Sequence, residues 1–402
     1  MLCNCIDRSP WVALNDELIA GETRRTRYML PIDCQYGMTI RYPRGDWKGA
    51  IEDYPLDEYP DYEAGKSPRF EKIAAISHQD EVERSTGQKW GEQGIGRLRE
   101  VALVRPTEYE LNQLFLKNPE FFIMRYYLVT GNKPNIEWLL EQHDAYSKVL
   151  KDNGIKVRYM EYEDNMGAYG PLRKHFVAAR LGFVLKGGVV IKRWGHGSWC
   201  RGMEYHAQKF FAEIGCPILL FPSGRAIFED AWVWPAENVL VGNYGIACNE
   251  EAMEQLTPVL KANDVDNLVM GNSTSVMDNM EASGDFHTDV FLGIADLGLA
   301  MVYPGQLDYK IYTWLKEHNF RLIEIPPDEQ RNCLPSNGVL IEPGKIIMST
   351  EAKKTNAMLR KEGVDVIEVD TNGLSQGGFN GLRCCTCRLL RDPGPELGEI
   401  RR

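Results

Sequence analysis

The chain has 402 residues, 44% of them hydrophobic, and a formal net charge of −11. That length and apolar content can build a substantial core in one large domain or two, while the acidic balance argues against nucleic acid or an anionic membrane as partner. Charges such as Asp296 break every apolar stretch short of the roughly 18 residues of a membrane span; the first residues lack a signal-peptide pattern, and ten cysteines are too sparse for a disulfide scaffold, so a reducing cytoplasm is expected.

Residues 1–90 stand apart. They are rich in Tyr, Pro, Asp and Arg without sustained periodicity, as in YPRGDWKGAIEDYPLDEYPDYEAGKSP, and read as a loop-rich extension that wraps the main body or an oligomer partner. Trp11, Trp47 and many tyrosines give this extension apolar surface to bury, which argues against disorder.

Across residues 91–402 a pattern recurs: strand-like pieces, an amphipathic helix, then a further apolar strand. LREVALVRP leads through PNIEWLLEQHDAYSKVLKDNG to IKVRYMEY, and GFVLKGGVVIKRW through GMEYHAQKFFAEIG to PILLFP. AWVWPAENVLVG leads through NEEAMEQLTPVLKAND to DNLVMG, HTDVFLGIADLGLAMVYP through DYKIYTWLKEHN to FRLIEIP, and GVLIEPGKIIMST through EAKKTNAMLRKEG to VDVIEVD. The helices carry apolar residues at i, i+3, i+4 and often stop at Gly or Asn, and the last strand of each unit is apolar enough to be buried between neighbours. Five such units, each of about 45–60 residues, predict a radial, closed α/β arrangement. A doubly wound sheet fits poorly, because paired strands precede the helices.

Two motifs carry chemistry. His287-Thr288-Asp289 opens the fourth unit, and GGFNGLRCCTCRLLRD, from Gly377 to Asp392, ends the patterned region. In the second, Gly377, Gly378 and Gly381 permit close backbone approach and deliver Cys384 to the start of a β-like segment, where a thiol can face a pocket. A cysteine with a histidine that is itself accompanied by a carboxylate is the logic of an activated nucleophile. If the segment after Arg383 is a strand, Cys384 and Thr386 face one side while Cys385 and Cys387 face the other. Zinc is the weaker reading, since no His pair at helical i, i+4 spacing accompanies the Cys384, Cys385, Cys387 group or the Cys3, Cys5 pair.

Together these features resemble the guanidine-modifying superfamily of arginine deiminases, dimethylarginine dimethylaminohydrolases and amidinotransferases, whose pentein fold is a five-bladed pseudosymmetric α/β propeller. GRLREVALVRP at 96–106 looks like the family's opening strand, HTDVFLGIADLGLAMVYP like its His-x-Asp segment, and GGFNGLRCCTCRLLRD like its terminal Cys-x-Thr segment. The resemblance implies Cys384 as nucleophile, His287 as general acid/base and Asp289 as a carboxylate that grips the guanidinium. It implies a second catalytic carboxylate in FEDAWVW, with Glu229 favoured over Asp230. Arg201, in CRGMEYH, matches a position that binds a substrate carboxylate. The implied chemistry is thiolate attack on a guanidino or amidine-type carbon, proton delivery to the departing amine, and resolution of the Cys384 adduct by water or a second amine. It requires no metal and no organic cofactor.

Departures from the family pattern bear on the substrate. HFVAARLGF places Ala179 and Arg180 where a guanidinium-binding Asp is expected, GNYGIACNEE has Ala247 where an Arg would hold an α-carboxylate, and Trp232 stands where an Asp follows the catalytic acid. A site with Arg180 and Ala247 should discriminate against free L-arginine and prefer a modified or smaller guanidino compound. The leading expectation is a hydrolase of C–N bonds. An amidinotransferase uses the same residues, and a non-catalytic binding protein of the same fold is disfavoured because Cys384, His287 and a candidate acid are all present.

Overall fold

Each repeat places three strands in one small sheet, the middle strand antiparallel to the first and parallel to the last. A computed structural model describes residues 77–106, 136–160, 182–195, 203–273, 287–375 and 381–400. The first repeat holds β1 (Leu98–Leu103), the helix Ile136–Asp152 and β2 (Lys156–Tyr159); the second holds β3 (Gly182–Leu185), β4 (Gly188–Ile191), the helix Met203–Glu213 and β5 (Ile218–Leu220). The third runs β6 (Val233–Ala236), β7 (Val239–Tyr244), the helix Glu250–Ala262 and β8 (Asn267–Asn272). The fourth runs β9 (Leu292–Asp296), β10 (Leu299–Val302), the helix Tyr309–Glu317 and β11 (Arg321–Glu324); the fifth runs β12 (Val339–Glu342), β13 (Lys345–Ser349), the helix Lys353–Lys361 and β14 (Asp365–Val369).

The first repeat differs from the expected unit. Only β1 precedes its helix, and its antiparallel partner is β15 (Cys387–Arg391), with Val101 opposite Arg388 and Ala102 opposite Cys387. The last strand and the first thus share one sheet, in the order β15-β1-β2. Neighbouring sheets touch through their first strands: β15 meets β3, β6 meets β9, β9 meets β12, and β1 also meets β12. The second and third sheets share a core in which Phe183 stacks on Trp234 at 5.8 Å and meets Trp232 edge-on at 6.3 Å. The closed five-sheet ring is the pentein architecture.

Local chemistry explains the elements. Strands β3 and β4 are buried along their whole length, as a continuous apolar run requires. The helix Met203–Glu213 buries Met203, His206, Ala207, Phe210 and Phe211, one helical stripe, and each large apolar side chain so buried contributes about 1.5–3 kcal/mol. Asn249 and Asp308 cap their helices, accepting from Ala252 N at 3.1 Å and Lys310 N at 2.7 Å. The turn joining β12 to β13 needs a left-handed residue and has Gly344, with φ 77°.

The chain divides into two units, Met1–Gln88 and Lys89–Arg402. In the first, the described residues form a helix, His78–Thr86, at the end of an extension read as loop-rich. Ser77 Oγ caps it by accepting from Asp80 N at 3.1 Å, and Gly87, with φ 69°, stops it. The rest of that extension, with Trp11, Trp47, Cys3 and Cys5, lies outside the described residues. No helix among the described residues is long and apolar enough to cross a membrane.

Candidate active site

Glu229 follows Phe228, whose backbone is bridged to Arg193 on one side and Cys248 on the other. Its N–H donates to Ala247 O at 2.9 Å, so the segment is pinned on both flanks. The next residue, Asp230, is buried and has φ 51°, a left-handed conformation rare outside glycine. Such strain persists where the surroundings over-determine it, and it clusters at functional sites. Glu229 itself is fully buried. Its Oε1 accepts from Gly195 N at 2.7 Å, and its Oε2 meets His287 Nε2 at 3.0 Å.

His287 precedes a short 3-10 turn, Thr288–Val290. Thr288 Oγ1 donates to Asn243 Oδ1, and Asp289 N donates to Ala231 O at 3.1 Å. The segment carrying His287 is therefore tied to the segment carrying Glu229. Burial pushes the His287 pKa down to about 4, outweighing the attraction of Glu229, while Lys192 acts in the same direction as burial. The ring is neutral at pH 7. When Nε2 donates to Glu229 Oε2, Nδ1 is left as the acceptor and base.

This shift has a consequence for stability. The folded state resists a proton that the unfolded chain binds near pH 6.5, so the contribution is present above pH 6.5 and is lost as pH falls towards 4. The loss should approach about 3 kcal/mol. Denaturant midpoints at pH 7, 5.5 and 4 should fall further for the parent than for His287→Gln, and equal losses would remove the basis for the shift.

Cys384 lies in a turn, not in a strand. Leu382–Cys385 form the turn and β15 begins only at Cys387, which corrects the expected β-like placement. The turn is held by Thr386, whose N donates to Arg383 O at 3.1 Å and whose Oγ1 donates to Leu382 O at 2.7 Å. It still separates the thiols: among the described cysteines only Cys384 is half-exposed, and Cys216, Cys248, Cys333, Cys385 and Cys387 are buried. Burial pushes the Cys385 and Cys216 thiols up and Cys248 to about 12, so these stay protonated and inert.

Asn337, buried in the 3-10 turn Pro335–Asn337, joins the two halves of the site. Its Oδ1 accepts from Cys384 N at 3.0 Å, its Nδ2 donates to Asp289 O at 3.2 Å, and its carbonyl accepts from Arg383 N at 3.0 Å. Gly381 is required here, because a Cβ at that position would lie 2.3 Å from Asn337 Cβ. Sequence patterns carry no signal for Asn337, which follows a helix end with nothing to mark it.

Asp289 is fully buried, and its Oδ2 forms an ion pair with Arg383 Nη1. Arg383 Nη2 donates to the carbonyl of Trp232. Trp232, at the position where the family has an Asp, is a core aromatic packed edge-on against Phe228 at 5.1 Å. Ala247, at the position of an expected Arg, is buried and serves through its carbonyl. Lys192 is also buried, with Nζ 3.8 Å above the Trp194 ring. Arg383 and Lys192 were missed in the sequence: one reads as a residue beside a nucleophile, the other as the solvated end of an apolar strand. Arg180, Ala179 and Arg201 lie outside the described residues. Among the described residues no group of three His, Cys, Asp or Glu could hold a metal ion.

A closed ring of five three-stranded sheets, with a buried His–Glu pair and a half-exposed cysteine tied to the same segment through Asn337, defines a class of cysteine-dependent enzymes acting on C–N bonds. The chain belongs to the guanidine-modifying (pentein) superfamily. It is 31% identical over 371 residues to the 2-nitroimidazole nitrohydrolase of Mycobacterium sp. (strain JS330), spanning 89% of this chain and 95% of that one. The arginine deiminase family matches residues 237–391. Two solved structures share the fold. An amidinotransferase of saxitoxin biosynthesis from Microseira wollei has a TM-score of 0.57 at 14% identity, covering 75% of this chain and 97% of that one. The dimethylarginine dimethylaminohydrolase of Pseudomonas aeruginosa has a TM-score of 0.53 at 14% identity, covering 73% and 99%.

Proposed function

We propose that the chain hydrolyses a small substrate at an amidine-type carbon, an sp² carbon held between two nitrogens, through a covalent bond to Cys384, and that this substrate is uncharged and planar rather than a guanidinium. The observation that carries the proposal is the buried ion pair of Asp289 with Arg383. In a guanidinium site such a carboxylate grips the substrate cation in bidentate geometry; here a guanidinium of the chain itself already matches its charge. Lys192 adds positive potential that lowers the proton affinity of His287. A cationic substrate entering such a low-dielectric site meets repulsion, whereas an electron-poor neutral ring does not. The 2-nitroimidazole of the nitrohydrolase is a substrate of this kind: its C2 lies between two ring nitrogens and bears a nitro group.

The steps use only this chain's groups and water. Nδ1 of His287 takes the Cys384 proton, and the thiolate adds to the carbon between the nitrogens. The carbon–nitrogen bond to the leaving group breaks, and its electron pair departs with that group, as nitrite from a nitro substituent. The proton on His287 passes to solvent with the departing anion, and the neutral ring then deprotonates a water whose oxygen adds to the same carbon; the C–S bond breaks, its electron pair returns to sulfur, His287 returns the proton to the thiolate, and a urea-type carbonyl remains. One water is consumed and nothing is oxidised. The same reading makes residues 91–402 the catalytic domain, 1–90 an accessory extension, and a reducing cytoplasm the compartment that keeps Cys384 a thiol.

The test is incubation with 2-nitroimidazole, L-arginine and dimethylarginine, each with and without an amine acceptor, with nitrite measured colorimetrically and small products by mass spectrometry. Nitrite and an imidazolone from 2-nitroimidazole, with at least tenfold weaker turnover of L-arginine, are expected. Efficient citrulline formation, or transfer of an amidino group to the amine, would overturn the proposal.

A further inference from the structure

A cavity of about 40 Å³ lies where the first strands of neighbouring sheets converge, lined in part by Glu92, Trp234, Arg383, Arg388 and Arg391. It is several times the roughly 10–15 Å³ that one water needs. Arg388 is buried and pairs with Glu92, Nη2 reaching Oε2 at 2.8 Å and Oε1 at 2.9 Å, but its buried Nη1 has no hydrogen-bond partner among the described residues. Arg391 is also buried. Its Nη1 and Nη2 donate to the carbonyls of Gly96 at 2.7 Å and Leu340 at 2.8 Å, and no carboxylate pairs with it among the described residues. Arg383 pairs with Asp289 and Arg388 with Glu92, whereas Arg391 is reached by carboxylates only through space, by Glu92 and by Glu237, which itself pairs with Lys186 at 3.3 Å. Burial first, then the neighbouring Arg388 and Arg383, work against the charge on Arg391, and together they outweigh Glu92 and Glu237. An uncompensated buried cation is costly, and a guanidinium holds more N–H groups than two carbonyls use.

We propose that this cavity binds one small monovalent inorganic anion, of halide or nitrite size, between Arg388 Nη1 and the Arg391 guanidinium. The ion supplies the missing negative charge and fills the unmet donor. Its position gives it a role in closing the ring, because Arg391 N donates to Gly91 O at 2.8 Å and Gly91 N donates to Leu389 O at 3.0 Å. The anion neutralises the charge at the seam where the last strand joins the start of the ring. This inference stands on the cavity and its charges, independently of the proposed substrate.

Thermal melts of the full chain in sodium chloride, bromide and nitrite, against sodium gluconate at matched ionic strength, test it. Gluconate is too large for the cavity. In the small anions the melting temperature should rise saturably by roughly 3–8 °C at hundredfold excess over the dissociation constant, and crystals grown in bromide should show an anomalous peak beside Arg388 and Arg391. Arg391→Met, which removes the unmatched charge, should lose the anion-specific rise. Equal melting in all four salts, or a bromide-grown crystal with only water in the cavity, would overturn the site; the diffraction result decides even if Arg391→Met does not fold.

Discussion

Cys384→Ser should lower turnover by at least roughly 10⁴-fold while leaving the melting temperature nearly unchanged. Cys384 is the half-exposed thiol among the described cysteines, and its backbone is held by Asn337 Oδ1, a bond that serine keeps. Serine retains the shape but not the nucleophile, because a hydroxyl is far harder to ionise than a thiol. Cys385→Ala should do the opposite. Its side chain is buried and burial holds its thiol protonated, so its loss should cost about 1–2 kcal/mol of stability and leave the chemistry in place. Steady-state rates and melting curves for the two variants, with mass spectrometry of the adduct on the Cys384 peptide, check the pair. Equal residual activity in both would sink the assignment of Cys384.

Glu229→Gln should reduce kcat by roughly 10²–10⁴-fold, and more than Asp230→Asn. A glutamine keeps an oxygen for Gly195 N. If its amide nitrogen faces Nε2, the imidazole must present a lone pair there and carry its proton on Nδ1. That is the wrong tautomer for the proposed role of Nδ1 as base toward Cys384. Asp230 is buried beside Glu229 with φ 51°, and its expected contribution is to the shape of the turn; Asp230→Asn should therefore appear mainly as lost stability. Rates of the two variants measured from pH 5 to 9 separate the roles. If Asp230→Asn abolishes turnover and Glu229→Gln does not, the carboxylates exchange places.

The repeats were legible in the sequence because each is local. A hairpin, an amphipathic helix and an apolar strand all write their burial into neighbouring residues, at periods of two and 3.6. The His287 and Cys384 motifs were legible for a related reason, since each puts its distinctive residues within a few positions. The first repeat was misread as a self-contained unit because the partner of β1 lies at the other end of the chain, Leu98 opposite Arg391. The turn at Cys384 escaped notice because alternating burial of cysteines looks the same in a turn and in a strand when only composition is read.

The resemblance favoured Glu229 over Asp230 without a geometric reason for the choice. Only the folded backbone, with Asp230 in the left-handed region and Glu229 aimed at His287, separates them. Nor could any local pattern show that Asp289 would be matched by Arg383, 94 positions away, or that Asn337 would bridge Asp289 and Cys384. The sequence by itself determined the five-part ring and singled out Cys384, His287 and Glu229 as candidates, because hydrophobic periodicity and short motifs are properties of adjacent residues. The tertiary structure decided which carboxylates are spoken for, which thiol meets solvent and where positive charge is left unmatched, because closing the ring brings distant strands within hydrogen-bond reach and desolvates their charges together.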